Sequence, residues 1–383
     1  MKKTVSGFLP ILIPALSLVV LLAAVFYMQP RAMSYNGLNL LFNLAVPIAL
    51  ATIAQMIIMA VNDLDLSMGT FVSFAACVTA VYMPQQPLVA CVILLAAIGL
   101  DRVVGDPPWL WQRVPHPVVL FGKAIDLFEK PLNRTTFTAE GRRLNGVLTI
   151  VLLLIASAAV GLVLSSVFEA LGVVGLILEI VVVGVFLAQK SLGDHVQAVA
   201  DGLLGQGLEG GRRAVAMIVG RDPKTLDEAG VSRAAIESLS ENFADGVVAP
   251  VFWYAIAGLP GILAYKMLNT ADSMIGHKNE RFFDFGWASA RLDDLANWPA
   301  ARLSAVFIAL AAWLKLGAGA GRRSFSAALR DSGLHRSPNS GWPEASMAGA
   351  LDLQLAGPRV YGGVLVDEPM LNRPGRQFAE ATD

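Results

Sequence analysis

The sequence predicts an all-α polytopic integral membrane protein with polar helical and loop segments between its membrane helices. Three observations lead there. The 383 residues are 55% hydrophobic and only 15% charged, with a mean hydropathy of +0.59, whereas a soluble domain is usually about 45–50% apolar and about 25% charged. Several nearly charge-free runs are long enough, at roughly 1.5 Å of rise per residue, to cross a hydrocarbon core of about 30 Å. Between them, charged residues are concentrated into a few dense blocks.

Taken in order, the runs Phe8 to Met28, Leu38 to Val61 and Leu66 to Met83 read as three apolar helices. The first is too long for a signal peptide and lacks a small-residue cleavage pattern, so a retained anchor is expected. Lys2 and Lys3 ahead of it favour a cytoplasmic N-terminus. Cys77 and Cys91 lie in apolar runs and read as small buried hydrophobes, not as a disulfide or metal ligands. A net charge of -1 without a basic stripe and interleaved aromatics argues against a nucleic-acid partner.

The chain changes character near residue 90, which predicts a membrane segment over 1–87 and a second domain over 88–383. In the second, Val147 to Phe168 and Leu171 to Leu187 read as membrane helices, with Glu179 either paired in the interior or facing water. Leu88 to Leu100, Val247 to Ala264 and Leu303 to Leu316 are shorter or broken by Gly and Pro. The charges of Lys266 to Arg302 suggest the cytoplasm, yet a full crossing by Val247 to Ala264 would place them outside. A re-entrant or internally packed segment there removes the conflict.

Four polar blocks carry the candidate chemistry. The first, Asp101 to Asn145, is rich in Lys and Arg and so is expected to be cytoplasmic. It holds Asp106, read as interfacial capping, and His116, stiffened between Pro115 and Pro117 and read as either structural or a presented base. The second contains Val219-Gly220-Arg221-Asp222 and then Glu237, Glu241 and Asp245 at a spacing of four. On a helix that spacing makes one acidic face, which is either a solvated face or a row held together by a cation. Hard oxygen ligands of this kind suit Mg²⁺. The third runs from Tyr265 to Arg302. There Asn269 with Asp272, Arg291 with Asp294, and Asp293 with Asn297 are spaced to share helical faces, either as interior salt bridges or as the carboxylates and arginines of a phosphoryl-dependent site. The fourth, Asp331 to Ala345, reads as a Pro/Gly loop before a short helix.

Two resemblances follow from these phrases. Asn62-Asp63-Leu64-Asp65-Leu66-Ser67-Met68-Gly69, with Gln55 upstream, resembles the first part of a ribose-type sugar ABC transporter permease, although Asp63 and Asp65 also suit simple helix capping. From about Leu88 onward the ordered set Leu100-Asp101-Arg102 to Gly105-Asp106-Pro107, Pro115-His116-Pro117, Glu237-Ser238 to Pro250, Asn269-Thr270 to Gly276, Phe285-Gly286-Trp287 to Asp294, and Ser337-Pro338-Asn339 to Glu344 resembles the adenosylcobinamide-phosphate synthase family, CobD/CbiB. That resemblance implies amide formation between adenosylcobyric acid and aminopropanol or its phosphate. ATP and Mg²⁺ are the implied cofactors, the corrinoid is a substrate, and the lipid bilayer and other cobalamin-assembly enzymes are implied partners. The implied site has Glu237, Glu241, Asp245 and Asp272 on the metal, and Asp293, Asp294, Arg291 and His116 as catalytic groups. Arg221, Arg281, Asn242, Asn269, Ser273, Trp287, Asn339, Trp342 and Glu344 would contact substrate or phosphate. No Gly-x-x-x-x-Gly-Lys-Ser/Thr loop is present, so a P-loop is not the ATP site. Relative to that family the C-terminus is expected to be shortened, and the multi-pass chain is expected in the cell membrane. The rival readings are a sugar permease fragment, an inactive fusion and a silent AmpE-like membrane relative.

Overall fold

A computed structural model describes residues 87–383 apart from 362, 363 and 367; the three leader runs and the permease-like phrase lie outside the described residues. The described part is helical almost throughout. Its helices are α1 (Pro87–Val103), α2 (Pro108–Trp111), α3 (Pro117–Leu132), α4 (Ala139–Ala170), α5 (Val173–Val185), α6 (Gln189–Val215), α7 (Glu228–Phe243), α8 (Ala249–Ile275), α9 (Trp287–Leu316), α10 (Ala318–Asp331) and α11 (Gly341–Leu351). One wide π turn, Ala244–Val248, joins α7 to α8. The departure from an all-helical chain is a pair of two-stranded antiparallel ladders near the C-terminus, pairing Leu355–Ala356 with Met370–Leu371 and Arg359–Tyr361 with Val364–Val366.

Among the described residues four helical stretches are long and apolar enough to cross a membrane: Ala139–Ala170, Val173–Val215, Glu228–Ile275 and Trp287–Leu316. Their outward residues fit that setting. Leu148, Leu152, Ile155 and Val163 on α4, and Phe307, Leu310, Trp313 and Leu314 on α9, are exposed, and lipid covers such a surface at no cost. Glu179, inside α5, accepts a 2.7 Å hydrogen bond from the Tyr254 hydroxyl, so it is paired in the interior.

The third stretch does not run straight. At Ala257 and Gly258 the backbone leaves the helical region, and Gly258 takes φ +60°, a left-handed conformation that a side chain strains against. Beyond it the chain folds back on itself. In a continuous helix Asp245 and Tyr265 would stand about 30 Å apart, yet the Tyr265 hydroxyl donates to the Asp245 carbonyl at 2.9 Å. One rung deeper, a Cβ on Gly261 would sit 2.2 Å from the Trp253 carbonyl oxygen. The Gly/Pro-broken segment is therefore a helical hairpin of re-entrant form, and both of its ends emerge on one side. The polar α6 does the same on a smaller scale, turning at Gly207 (φ +65°) so that Gly202 meets Gly210.

The α8 hairpin is wedged against α4 by close approach of backbones. A Cβ on Gly161 would lie 2.5 Å from Pro260, and one on Gly146 only 1.9 Å from the Phe285 carbonyl oxygen. Around this seam Ile125, Ile150, Leu153, Leu268, Ala271 and Phe285 form the main apolar core. A Gly161→Val protein is expected to lose roughly 1–3 kcal/mol through overpacking, read as a lower thermal unfolding midpoint in detergent. Single cysteines at Lys224 and Asn279, in a chain with Cys77 and Cys91 replaced by Ser, are expected to react with an impermeant maleimide from the same side of the membrane. Labelling from opposite sides would contradict the hairpin.

Candidate active site

The fold-back brings the polar blocks together at the mouth of the hairpin. The α7 helix starts at Asp227, whose Oδ1 accepts the Gly230 N–H at 2.7 Å, as an N-cap should. It presents Glu237 and Glu241 on successive turns, but the π turn then widens the spiral and re-aims Asp245 toward α8 and α9. Opposite it, α8 contributes Tyr265, Lys266, Asn269 and Asp272, and the start of α9 contributes Asp293, Asp294 and Asn297.

These side chains form a half-open acidic basin. Asn297 anchors its floor: its Oδ1 accepts from the Tyr265 hydroxyl at 2.8 Å and its Nδ2 donates to Asp293 Oδ2 at 2.8 Å. Asn269 Nδ2 approaches Asp293 Oδ1 at 3.5 Å. Asp245 lies within electrostatic range of Asp293, Glu241 and Asp272, with Lys266 as the cation among them. Asp272 in turn feels Asp294 and His277, and Asp294 feels Arg291 and Lys278. Carboxylates gathered this closely repel one another, so the basin is built to receive positive charge.

A small cleft of about 110 Å³ adjoins the basin, lined in part by Arg221, Glu237, Glu241, Asn242 and Glu344. Here the second and fourth blocks meet, because the Ser340 hydroxyl donates to Glu241 Oε1 at 2.9 Å. Asn242 donates to the Ser238 carbonyl at 2.8 Å within its own helix. Glu344 is buried, with His335 Nε2 at 3.6 Å. Asn339 links this wall to the basin by donating to the Asp294 carbonyl at 2.7 Å.

The other expected site residues have partners of their own. One Glu237 carboxylate oxygen takes the Arg221 guanidinium and the other accepts the Ala356 N–H at 2.8 Å. Among the described residues no group of three or more His, Cys, Asp and Glu side chains is gathered closely enough to hold a metal ion. Arg221, paired with Glu237, and Arg281, paired in two-pronged fashion with Glu129 at 2.8 and 3.1 Å, have carboxylates already. Trp287 lies beneath Arg143 at 3.8 Å, and the Ser273 hydroxyl donates back to the Asn269 carbonyl at 2.9 Å; neither faces the acidic group through these contacts. His116 caps α3, its Nδ1 accepting the Val118 N–H at 3.2 Å, while Nε2 lies 3.6 Å from Asp106. It meets the basin only indirectly, through the electrostatic reach of Asp106 to Lys266.

Lys266, Tyr265 and Arg302 were assigned no role by spacing. Lys266 had a signal nonetheless, as a cation at the end of an otherwise apolar run. Arg302 emerges beside the fourth block: its guanidinium lies 4.1 Å from the Trp298 ring and 4.9 Å from the Trp342 ring, and Nη1 donates to the Trp298 carbonyl at 2.9 Å and to Asn339 Oδ1 at 3.2 Å.

Residues 94–382 match the model of the CobD/CbiB protein family. The chain belongs to the CobD/CbiB family. It is 66% identical over 293 residues to the cobalamin biosynthesis protein CobD of Sinorhizobium fredii, covering 76% of this chain and 89% of that protein. The Rhizobium meliloti protein of the same name is 64% identical over 291 residues, again 76% and 89% of the two chains. That of Brucella suis is 56% identical over 292 residues, also 76% and 89%. No solved structure matches this chain. The family match therefore covers the basin, the cleft and the hairpin between them.

Two outcomes are expected from this geometry. Tyr265→Phe removes the donor shared by Asn297 and the Asp245 carbonyl and is expected to cost about 1–3 kcal/mol, read as a lowered unfolding midpoint. The second concerns pH. The His116 imidazole holds the Asp106 carboxyl below its usual range, against an opposing push from burial. A depressed carboxyl stabilises the fold above its unfolded value of about 3.9 and loses that contribution as pH falls through the folded value. The unfolding-midpoint gap between wild type and Asp106→Asn is therefore expected to be widest at neutral pH and to close on acidification; a gap that grows toward acid pH contradicts the pairing.

Proposed function

We propose that this chain acts in cobalamin biosynthesis as an adenosylcobinamide-phosphate synthase, joining a carboxylate of adenosylcobyric acid to the amine of aminopropanol or its phosphate. Family membership and the name of the relatives, cobalamin biosynthesis protein CobD, support the pathway. The acidic basin carries the reaction, because an aliphatic amine arrives as an ammonium ion and must lose a proton before it can attack.

In this reading the carboxylates of the basin bind and orient the ammonium group. Asp293, held by Asn297, or the neighbouring Asp294 accepts the proton that makes the nitrogen a nucleophile. ATP with Mg²⁺, when bound, would supply the phosphoryl group for an acyl phosphate with release of ADP, and displacement of that phosphate by the amine would leave the amide. Mg²⁺ is commonly held by one or two carboxylates together with substrate phosphates, so Asp245 and Asp272 suffice as protein ligands without the fuller cage. Glu237 takes no part in that set and holds the cleft wall through Arg221. The motif blocks face the cytoplasm of the cell membrane, where nucleotide is available.

The test is restoration of cobalamin synthesis from cobyric acid in a strain lacking the synthase, together with assay of the amide product by purified protein in detergent. Asp272→Asn and Asp245→Asn are expected to lower turnover at least about 100-fold, in the range for loss of an essential charged group, while the protein stays folded. Wild-type turnover in both would sink the assignment of the basin. Glu237→Gln is expected to act first on stability, by leaving Arg221 without its counter-charge.

A further inference from the structure

Of the arginines expected at the site, Arg221 and Arg281 are occupied by Glu237 and Glu129, while Arg291 lies within electrostatic range of Asp294. Both the acyl donor and ATP are anions, as is the phosphorylated amine. Arg302 differs from those three in its surroundings. No carboxylate pairs with it among the described residues, and none lies within electrostatic range. Two indole faces and the contacts of Nη1 hold its plane in place. Nε and Nη2 make no hydrogen bond and are not sealed from solvent. A guanidinium fixed in this way presents a planar pair of donors, the arrangement that matches two oxygens of a carboxylate or phosphate. A half-buried cation lacking a counter-ion is costly, and stacking on aromatic faces offsets only part of that cost.

We propose that Arg302 is the oxyanion clamp of this site, its free edge binding a carboxylate or phosphate of a substrate across from the acidic basin. The clamp rests on the reaction reading for its purpose and not for its chemistry. Asn339 ties the two halves together, since one end of its amide accepts from Arg302 and the other donates to the Asp294 carbonyl. The anion is thereby set beside the carboxylates that receive the amine. Trp342 and Asn339 thus serve as positioning residues, acting through Arg302.

Equilibrium binding to the full-length chain in detergent tests the proposal, with ATP, aminopropanol phosphate, adenosylcobyric acid and unphosphorylated aminopropanol as separate probes. Arg302→Gln is expected to weaken at least one of the three anions about 10- to 100-fold, as for loss of a charge-assisted pair. Binding of unphosphorylated aminopropanol is expected to stay unchanged. The anion that weakens identifies the source of the bound oxyanion. Should Arg302→Gln fail to fold, Arg302→Lys decides the matter: it keeps the charge but loses the two-pronged edge, and is expected to weaken the same anion by about 5-fold or more. Affinities within twofold of wild type for all three anions, in whichever folded variant is measured, overturn the clamp. If wild type binds an anion through Arg302 yet forms no amide, the reaction reading fails while the clamp stands.

Discussion

The site depends on the contact between the Tyr265 hydroxyl and the Asp245 carbonyl across the mouth of the α8 hairpin. That hydroxyl also donates to Asn297, and Asn297 donates to Asp293, so one side chain ties together the three elements that build the basin. The π turn makes this possible. Its wider ring loosens the usual backbone pairing and turns carbonyls outward, and the Gly246 carbonyl likewise accepts the Ala188 N–H at 3.1 Å. Local irregularity in the helix is thus repaid by tertiary hydrogen bonds at the point where the chemistry is placed.

The chain separates its ionic groups into two kinds. Arg142 with Asp284, Arg281 with Glu129, Arg221 with Glu237 and Arg330 with Asp331 are matched pairs that hold loops and helix ends. Asp245 and Asp293 share Lys266, Asp272 has His277 within electrostatic range and Asp294 has Arg291 and Lys278, while no carboxylate pairs with Arg302 among the described residues. Pairing stabilises the first set and leaves it inert. The unbalanced second set is where ligands of opposite charge gain most, with the deficit of positive charge in the basin and the surplus on Arg302 lying on either side of Asn339.

Much of this was legible in the residues themselves. The apolar runs of α4, α5 and α9 follow from composition and length, and the break at Gly258 and Pro260 already set Val247 to Ala264 apart as a segment unlikely to cross straight. The i,i+4 partnership of Asp293 with Asn297 was visible as spacing and is realised at 2.8 Å. Spacing could not show where the helix changes its pitch: Glu237, Glu241 and Asp245 look like one face on an ideal helix, and the π turn sets Asp245 within range of Asp293, Asp272 and Lys266 as well as Glu241. It was also blind to which arginines are already neutralised, because Glu129 is 152 residues from Arg281 in the chain.

The sequence by itself determined that this is a helical membrane protein of the CobD/CbiB kind, because hydrophobic run length and ordered polar phrases are properties of the chain taken locally. Only the tertiary structure decided which charges remain available. Whether a carboxylate or guanidinium is spent depends on partners brought from distant segments, and here the fold-back at Gly258 and the wide turn before it choose those partners.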